Sequence, residues 1–348
     1  MKFVTLHALS DLDDLPFDEV IDARSPAEYD EDHLPGAVSL PVLDNDERAR
    51  VGTVYTRESR FLARRMGAAL VARNVAAHLE GYLSDKPADF RPLIYCWRGG
   101  QRSGAFATIL GQIGWQAGTI DGGWRSYRRL VARRLYETPF PAPVWLIDGN
   151  TGTAKTEILK RYASLGGQVI DLEGLAAHRG SIFGQVAGTV QPSQKRFEGA
   201  LALAIARLDP ARPVLIEAES ARIGALRIPP KLWVAMRAAP RFRIEAPLDA
   251  RAGWLARAYW DVTASADLLL ARIAALAPFH PKARIAEWQI LARERAFEPL
   301  AAELMQAHYD PRYARTRPEG VTEEVLSSAD LSDPALDQLA RAIRDRIG

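Results

Sequence analysis

Short apolar runs, each closed by a turn and followed by residues of helical period, recur along this chain and narrow its fold class more than any other feature. Val20-Ile21-Asp22-Ala23 and Pro92-Leu93-Ile94-Tyr95 are two such runs, with helical periodicity over 60–80 and from Ser103 onward. Strands that alternate with helices predict parallel sheets covered on both faces. The rhythm stops at Thr138-Pro139-Phe140-Pro141-Ala142-Pro143, whose prolines cannot continue a helix and favour an extended connector. It restarts with the strand Val144-Trp145-Leu146-Ile147-Asp148, a helix over 155–164, the strand Gln168-Val169-Ile170-Asp171, a helix over 194–208 and the strand Val214-Leu215-Ile216-Glu217. Beyond about residue 249 the strand signal gives way to Ala-, Leu- and Arg-rich sequence of helical period, broken at Pro278 and Pro281, in which Trp254, Tyr259 and Trp260 read as core. The expected organisation is an α/β domain over residues 1–137, a linker over 138–143, a second α/β domain over 144–248 and a helical C-terminal subdomain over 249–348.

A length of 348 residues suits two such domains, and 48% hydrophobic with 25% charged residues excludes a disordered or fibrous chain. No apolar run is long enough for a membrane span, and Asp11, Asp13 and Asp14 make the N-terminus too acidic for a targeting peptide. A single cysteine excludes an internal disulfide framework and a Cys-based zinc site; the expected compartment is the reducing cytoplasm. A net charge of +2 decides nothing about nucleic acid. Arginine outnumbers lysine 38 to seven, which a GC-rich genome explains as well as phosphate recognition does.

That one cysteine, Cys96, follows a strand and opens the loop Cys96-Trp97-Arg98-Gly99-Gly100-Gln101-Arg102-Ser103, which leads into a helix. Sites in open α/β sheets sit at the carboxyl ends of strands. Gly99 and Gly100 let the backbone curl into an anion-binding nest, and the helix N-terminus with Arg98 and Arg102 adds positive charge. These factors favour thiolate. A buried inert cysteine is the alternative.

Gly149-Asn150-Thr151-Gly152-Thr153-Ala154-Lys155-Thr156 lies between a strand and a helix, the context a P-loop requires. Backbone N–H groups would cradle a diphosphate, with Lys155 on its oxygens and Thr156 on Mg²⁺ if any is bound. Ala154 departs from the pattern, because glycine normally precedes the lysine and a methyl there would crowd the phosphates or stiffen the loop. Glu217 and Glu219, at the end of a second strand, are candidate acids for this domain that would hold a water or metal, with a solvated strand end as the alternative.

Asp22-Ala23-Arg24-Ser25-Pro26-Ala27-Glu28-Tyr29 with His33-Leu34-Pro35-Gly36-Ala37 resembles the N-terminal signature of rhodanese-type sulfurtransferase domains, in which His33 is scaffold rather than base. Cys96 to Arg102 has the Cys-x5-Arg spacing of cysteine phosphatases, one residue longer than an ordinary rhodanese loop and better suited to a tetrahedral phosphorus oxyanion. The pairing of this domain with a P-loop domain resembles the tRNA 2-selenouridine synthase family over essentially the whole chain. The matching motifs are Tyr95–Ser103, Asn45–Arg48 with Val51–Tyr55, His178–Ser181 with Phe183-Gly184, Gln191–Gln194 with Phe197-Glu198, Glu217–Gly224 and His308–Pro311. That resemblance implies a rhodanese-like parallel sheet domain followed by a P-loop NTPase-like α/β domain with a helical C-terminal subdomain. It implies a cytoplasmic transferase that geranylates wobble 2-thiouridine in the anticodon loop of tRNA using geranyl diphosphate. The S-geranyl group is then replaced with selenium from selenophosphate, through selenium carried on Cys96. Neither co-substrate is expected to be tightly bound, no metal site is assigned, and a Mg²⁺ requirement stays open. A selenophosphate-supplying enzyme is a possible partner.

For tRNA, Arg125, Arg129 and Arg133 fall on one helical stripe with Arg128 beside it and Trp124 and Tyr127 nearby for base stacking. A solvated basic face is the alternative, and Arg251, Arg257 and Arg272 are the next place to look. Competing readings of the chain are a Cys-x5-Arg phosphatase or sulfurtransferase with a regulatory P-loop domain, a nucleotide kinase, and a non-catalytic RNA-binding module.

Overall fold

The computed structural model describes residues 2–180, 183–184, 188–316 and 320–347. The chain divides into two compact units, Met1–Thr138 with Ser193–Arg207 and Pro139–Pro192 with Leu208–Gly348. The proline-rich connector begins where the first unit ends.

The first unit holds five parallel strands, β1 (Lys2–Val4), β2 (Glu19–Asp22), β3 (Val38–Ser39), β4 (Pro92–Tyr95) and β5 (Gly118–Ile120), in the order β1-β5-β4-β2-β3. β4 is buried along its whole length, as an apolar run in a sheet covered on both faces should be. Helix Arg60–Glu80 matches the expected span, and its Val71 and Val75 pack with Ile21, Ile94, Phe106 and Leu110 in the core of this unit.

Helix Gln194–Ala206 belongs to this unit, although its place in sequence puts it within 144–248. Phe197, Leu201 and Ala202 are buried, and Arg128 donates to Glu198 at 2.6 Å and to the Lys195 carbonyl at 3.0 Å. Arg207 pairs with Asp13. Domain assignment by chain order missed it because what fixes this helix is its buried face.

The second unit holds β6 (Val144–Gly149), β7 (Gln168–Ile170), β8 (Val214–Glu217), the short hairpin β9 (Arg222–Ile223) and β10 (Leu226–Arg227), then β11 (Arg241–Glu245) and β12 (Glu323–Ser327). Its sheet is parallel, in the order β12-β11-β6-β8-β7. The C-terminal part is helical as expected, with one strand added: β12 pairs with β11, and helix Asp333–Ile347 lays Leu336, Leu339, Ala340 and Ile343 onto helix Lys155–Ser164. β12 was hidden because it is an edge strand with two glutamates and one buried side chain, Leu326. The helices between them do form a separate cluster around Leu269, Ile273, Trp288 and Leu300. Trp254 and Tyr259 are half-buried against cores, but Trp260 is 70% exposed and is not core. Ser181, part of one family motif, lies outside the described residues.

Candidate functional site

Cys96 stands at the carboxyl end of β4, between β2 and β5, and is 4% exposed. Helix Gln101–Gln112 starts two residues earlier than the sequence suggests, with Gly100 as its N-cap. The loop rests on the turn after β5. The Cys96 carbonyl accepts from Trp124 N at 2.9 Å, and that of Trp97 from Arg125 N at 3.2 Å. Gly99 has φ +65°, and a Cβ there would lie 2.4 Å from the Ile120 carbonyl; one on Gly123, at φ +55°, would lie 2.1 Å from that of Cys96. Only glycine allows two backbones so close. Gly122-Gly123 is thus the abutment of the cysteine loop, a role that sequence reading missed. A glycine pair at the carboxyl end of a neighbouring strand was the available signal.

Burial would raise the Cys96 thiol pKa. The Ser103 hydroxyl, 3.2 Å from Sγ, the backbone N–H groups of Ser103 and Gly100, and the charge of Arg102 overcome this, so the net shift is downward. Arg102 is held from outside by Glu28, at 2.7 and 3.3 Å, rather than standing free in the loop. Burial works against the Glu28 carboxylate, but Arg102, the Ser25 amide and Arg48 bring its pKa down to about 2. Trp97 stacks on Trp124 at 4.5 Å between ring centroids, Gln101 and Arg98 are exposed, and Gly100 caps the helix.

The signature 22–37 is structural. Arg24 is buried in an ion pair with Asp22 at 2.6 Å and donates to the Asp32 carbonyl at 2.5 Å, while Tyr95 donates to Asp22 at 2.6 Å. His33 stacks on Tyr29 with its Nδ1 2.8 Å from the Tyr29 carbonyl, which makes it scaffold.

Along helix Gly123–Ala132 and onward, Arg125, Arg129 and Arg133 are exposed on one face. Trp124 and Tyr127 are 5% and 0% exposed, because i, i+3 spacing puts them opposite the stripe, so neither can stack on a base. Arg128 is engaged with Glu198 and the Lys195 carbonyl and lies 3.8 Å from Asp32, which makes it a strut rather than a free phosphate contact.

β6 ends in the phosphate loop, and helix Lys155–Ser164 begins after Ala154 with no side chain capping its N-terminal N–H groups. Those donors and the helix dipole remain available to an anion. Gly149 has φ +147° and Gly152 φ +86°. Lys155 Nζ donates to the Gly149 carbonyl at 2.9 Å, and Thr153 to that of Asn150 at 2.8 Å. Arg251, a candidate for tRNA, is instead 7% exposed; it donates to the Thr151 carbonyl at 3.1 Å and is held by Asp310 at 2.8 Å. Sequence reading missed its part in the loop because it comes from 100 residues away.

Ala154 adopts φ +58°, the region its usual glycine prefers, and its methyl is buried in one cluster with Ile147 and Ile158. The left-handed conformation costs about 1–2 kcal/mol. A glycine would remove that strain, lose about 0.8 kcal/mol of methyl burial and add about 0.4–1 kcal/mol of unfolded-state entropy. These terms nearly cancel. Ala154→Gly should therefore shift urea-unfolding stability by less than about 1 kcal/mol, whereas Ala154→Val, β-branched at a positive φ, should destabilise clearly more. A valine variant as stable as the parent would contradict the strained geometry.

Glu217 and Glu219 meet a third acid, Glu173, at this loop. Thr156 donates to Glu217 at 2.5 Å and to Glu173 at 3.2 Å, and Glu173 and Glu219 share a hydrogen bond. Burial first, then repulsion between the carboxylates, pushes Glu173 and Glu217 up to about 8 and Glu219 to about 7. Glu173 was legible only from its place just past the end of β7, beside β8. The unfolded chain loses these protons near pH 4.5, the folded chain near 7–8. The cluster's stabilising contribution is thus complete below pH 4.5 and lost as pH rises to about 8. The urea midpoint of the ligand-free chain should fall over that window, and Glu217→Gln should flatten the fall. An unchanged slope would remove the cluster as its source.

Residues 142–271 match the tRNA 2-selenouridine synthase AAA domain, and residues 5–130 the rhodanese-like domain. A tRNA 2-selenouridine synthase of Shewanella halifaxensis (strain HAW-EB4) is 34% identical over 247 residues, which is 69% of this chain and 65% of that protein. One from Chromohalobacter salexigens is 39% identical over 249 residues, 70% of this chain and 65% of its own length. One from Aeromonas salmonicida (strain A449) is 35% identical over 251 residues, with coverages of 71% and 66%. The chain thus spans about 65% of the length of these relatives.

Proposed function

The chain is a member of the family that joins a rhodanese-like domain to a tRNA 2-selenouridine synthase AAA domain, and from that premise we propose that it converts wobble 2-thiouridine of tRNA into 2-selenouridine. In the first step the thiouridine sulfur attacks C1 of geranyl diphosphate; an S–C bond forms, a C–O bond breaks and diphosphate leaves. The loop 149–156 holds that diphosphate, with Lys155 and the helix N–H groups as donors. The oxygens of Thr156 and Glu217 are those that would hold a Mg²⁺ arriving with the diphosphate. Hard oxygen donors suit it, and Glu217 Oε2 is buried with no hydrogen-bond partner among the described residues.

In the second step selenium enters from selenophosphate at Cys96. Electron balance bears on the expected selenium-carrying cysteine. Thiolate sulfur and selenophosphate selenium are both at the −2 level, so an S–Se bond would need an oxidant. The balanced route has the Cys96 thiolate attack phosphorus, forming S–P and breaking P–Se. Hydrogen selenide is released beside the base and displaces geranylthiolate at C2, while water hydrolyses the phosphocysteine. The loop's length and its N–H donors suit the trigonal-bipyramidal phosphorus of that step.

The observation that carries this reading is the presence, on one chain, of a lowered-pKa thiol in an N–H-lined loop and of a P-loop with its lysine. tRNA from a strain lacking the gene should contain 2-thiouridine and no 2-selenouridine. Undiminished selenouridine would overturn the assignment.

tRNA is bound on the stripe Arg125, Arg129 and Arg133. Reversing all three charges should reduce the slope of log affinity against log salt by about 0.7–0.9 for each phosphate that is no longer neutralised. Parent-like affinity and slope would make the stripe a solvated face. The reaction belongs in the cytoplasm, where an enzyme supplying selenophosphate would be its partner. Among the described residues, no helix is long and apolar enough to cross a membrane.

A further inference from the structure

Beside the phosphate loop the helical part of the second unit leaves an open cavity with a largely apolar lining. Leu255, Val262, Leu269, Phe297, Leu300 and Leu304 supply much of its wall, among the described residues no charged side chain lines it, and Thr151 of the phosphate loop stands at its edge. The loop and the cavity share a wall. A Cβ on Gly152 would lie 3.2 Å from Leu255 Cδ1 and 2.9 Å from the Arg251 carbonyl, so the loop backbone rests on helix Leu248–Ala258. Arg251 reaches the Thr151 carbonyl with the same nitrogen that lies 3.6 Å from Met305 Sδ, and Met305 lines the cavity. Along this helix and its C-cap, Leu255, Ala256 and Tyr259 line the cavity, about 6 Å of wall at 1.5 Å per residue.

We propose that this cavity is the binding site for the hydrocarbon chain of an isoprenoid diphosphate whose phosphates occupy residues 149–156. The inference rests on the reading of that loop as a diphosphate site and adds the residues that select the donor. A phosphate cradle that opens onto an uncharged, apolar cleft recognises a charged head and a hydrocarbon tail. A nucleotide is a poor occupant, because a purine's polar edges would be buried against leucine and phenylalanine with few partners. Phe297, half-buried at the cavity, is a determinant of chain length, and Ala256 is a position where added bulk fills the space while the core packing stays intact.

The test is equilibrium binding to the full chain, without tRNA or turnover, of geranyl diphosphate, farnesyl diphosphate, inorganic diphosphate and ATP. The parent should bind geranyl diphosphate about a hundredfold more tightly than inorganic diphosphate. Ala256→Phe should weaken geranyl diphosphate by about tenfold or more and leave inorganic diphosphate unchanged, which also shows that the loop is still folded. Phe297→Ala should shift preference toward farnesyl diphosphate. The cavity is overturned, with the loop's role intact, if inorganic and geranyl diphosphate bind equally well or if Ala256→Phe weakens neither. If ATP outcompetes geranyl diphosphate, or neither diphosphate binds, the reading of the loop falls along with it.

Discussion

Replacing Cys96 with alanine is expected to abolish 2-selenouridine in tRNA while S-geranyl-2-thiouridine accumulates. Cys96 is the only thiol on the chain, and it lies at the sheet's carboxyl edge with its sulfur 3.2 Å from the Ser103 hydroxyl. In the proposed chemistry the residue acts only after geranylation, so its removal blocks one step and leaves its precursor intact. Loss of a covalent nucleophile typically costs several orders of magnitude in rate, far beyond one hydrogen bond. Cys96→Ser distinguishes a nucleophile from a packing role. It preserves the volume and a hydrogen bond to Ser103 but not the thiolate, and it should be as inactive as alanine. Nucleoside mass spectrometry of tRNA from complemented deletion strains reads both products. Normal selenouridine in either variant removes Cys96 from the mechanism. Loss of the geranylated nucleoside along with selenouridine would mean that the two steps are not separable in this way.

Both loops were legible because each is local. A strand end, a few residues with glycines and a helix start lie within about eight positions, so type and order alone specify strand, nest and helix. What was not legible arrives from far along the chain. Glu28 anchors Arg102 from 74 positions away, and Arg251 with Asp310 braces Thr151 from the helical region. The stripe 125–133 was read correctly as one face of a helix, but which neighbours were buried was not. The opposite face carries Trp124 and Tyr127 into the first unit's interior, and aromatic residues beside arginines look the same in sequence whether they stack on bases or on Trp97. The edge strand Glu323–Ser327 failed for a related reason: pairing on one side only leaves a polar pattern that composition cannot tell from a loop.

Lys155→Ala should lower the rate of geranyl transfer by about ten- to a hundredfold, the cost of one charge-assisted hydrogen bond to the diphosphate. The unliganded geometry supports a larger effect for this lysine than for any exposed arginine. Burial alone would lower its pKa, but Tyr313, Glu173, Glu217 and Glu219 more than offset that, so the ammonium stays charged in the loop. Its present partner, the Gly149 carbonyl at 2.9 Å, is a neutral acceptor on the loop it must serve, and a charged phosphate oxygen makes the stronger hydrogen bond. Removing the ammonium also takes from the three glutamates a positive charge that lowers their pKa values, so they hold protons more tightly, and the diphosphate loses a compensating charge. Lys155→Arg should not restore the rate, because a planar fork does not fit where a point charge is folded back over the loop. Alkylation of Cys96 by iodoacetamide should proceed at the parent's rate, since the thiol lies in the other unit and draws its low pKa from Ser103, Gly100 and Arg102. If geranyl transfer is unchanged in Lys155→Ala, the loop 149–156 is not the donor site; if thiol reactivity falls in step with it, the variant has disturbed the fold rather than the diphosphate.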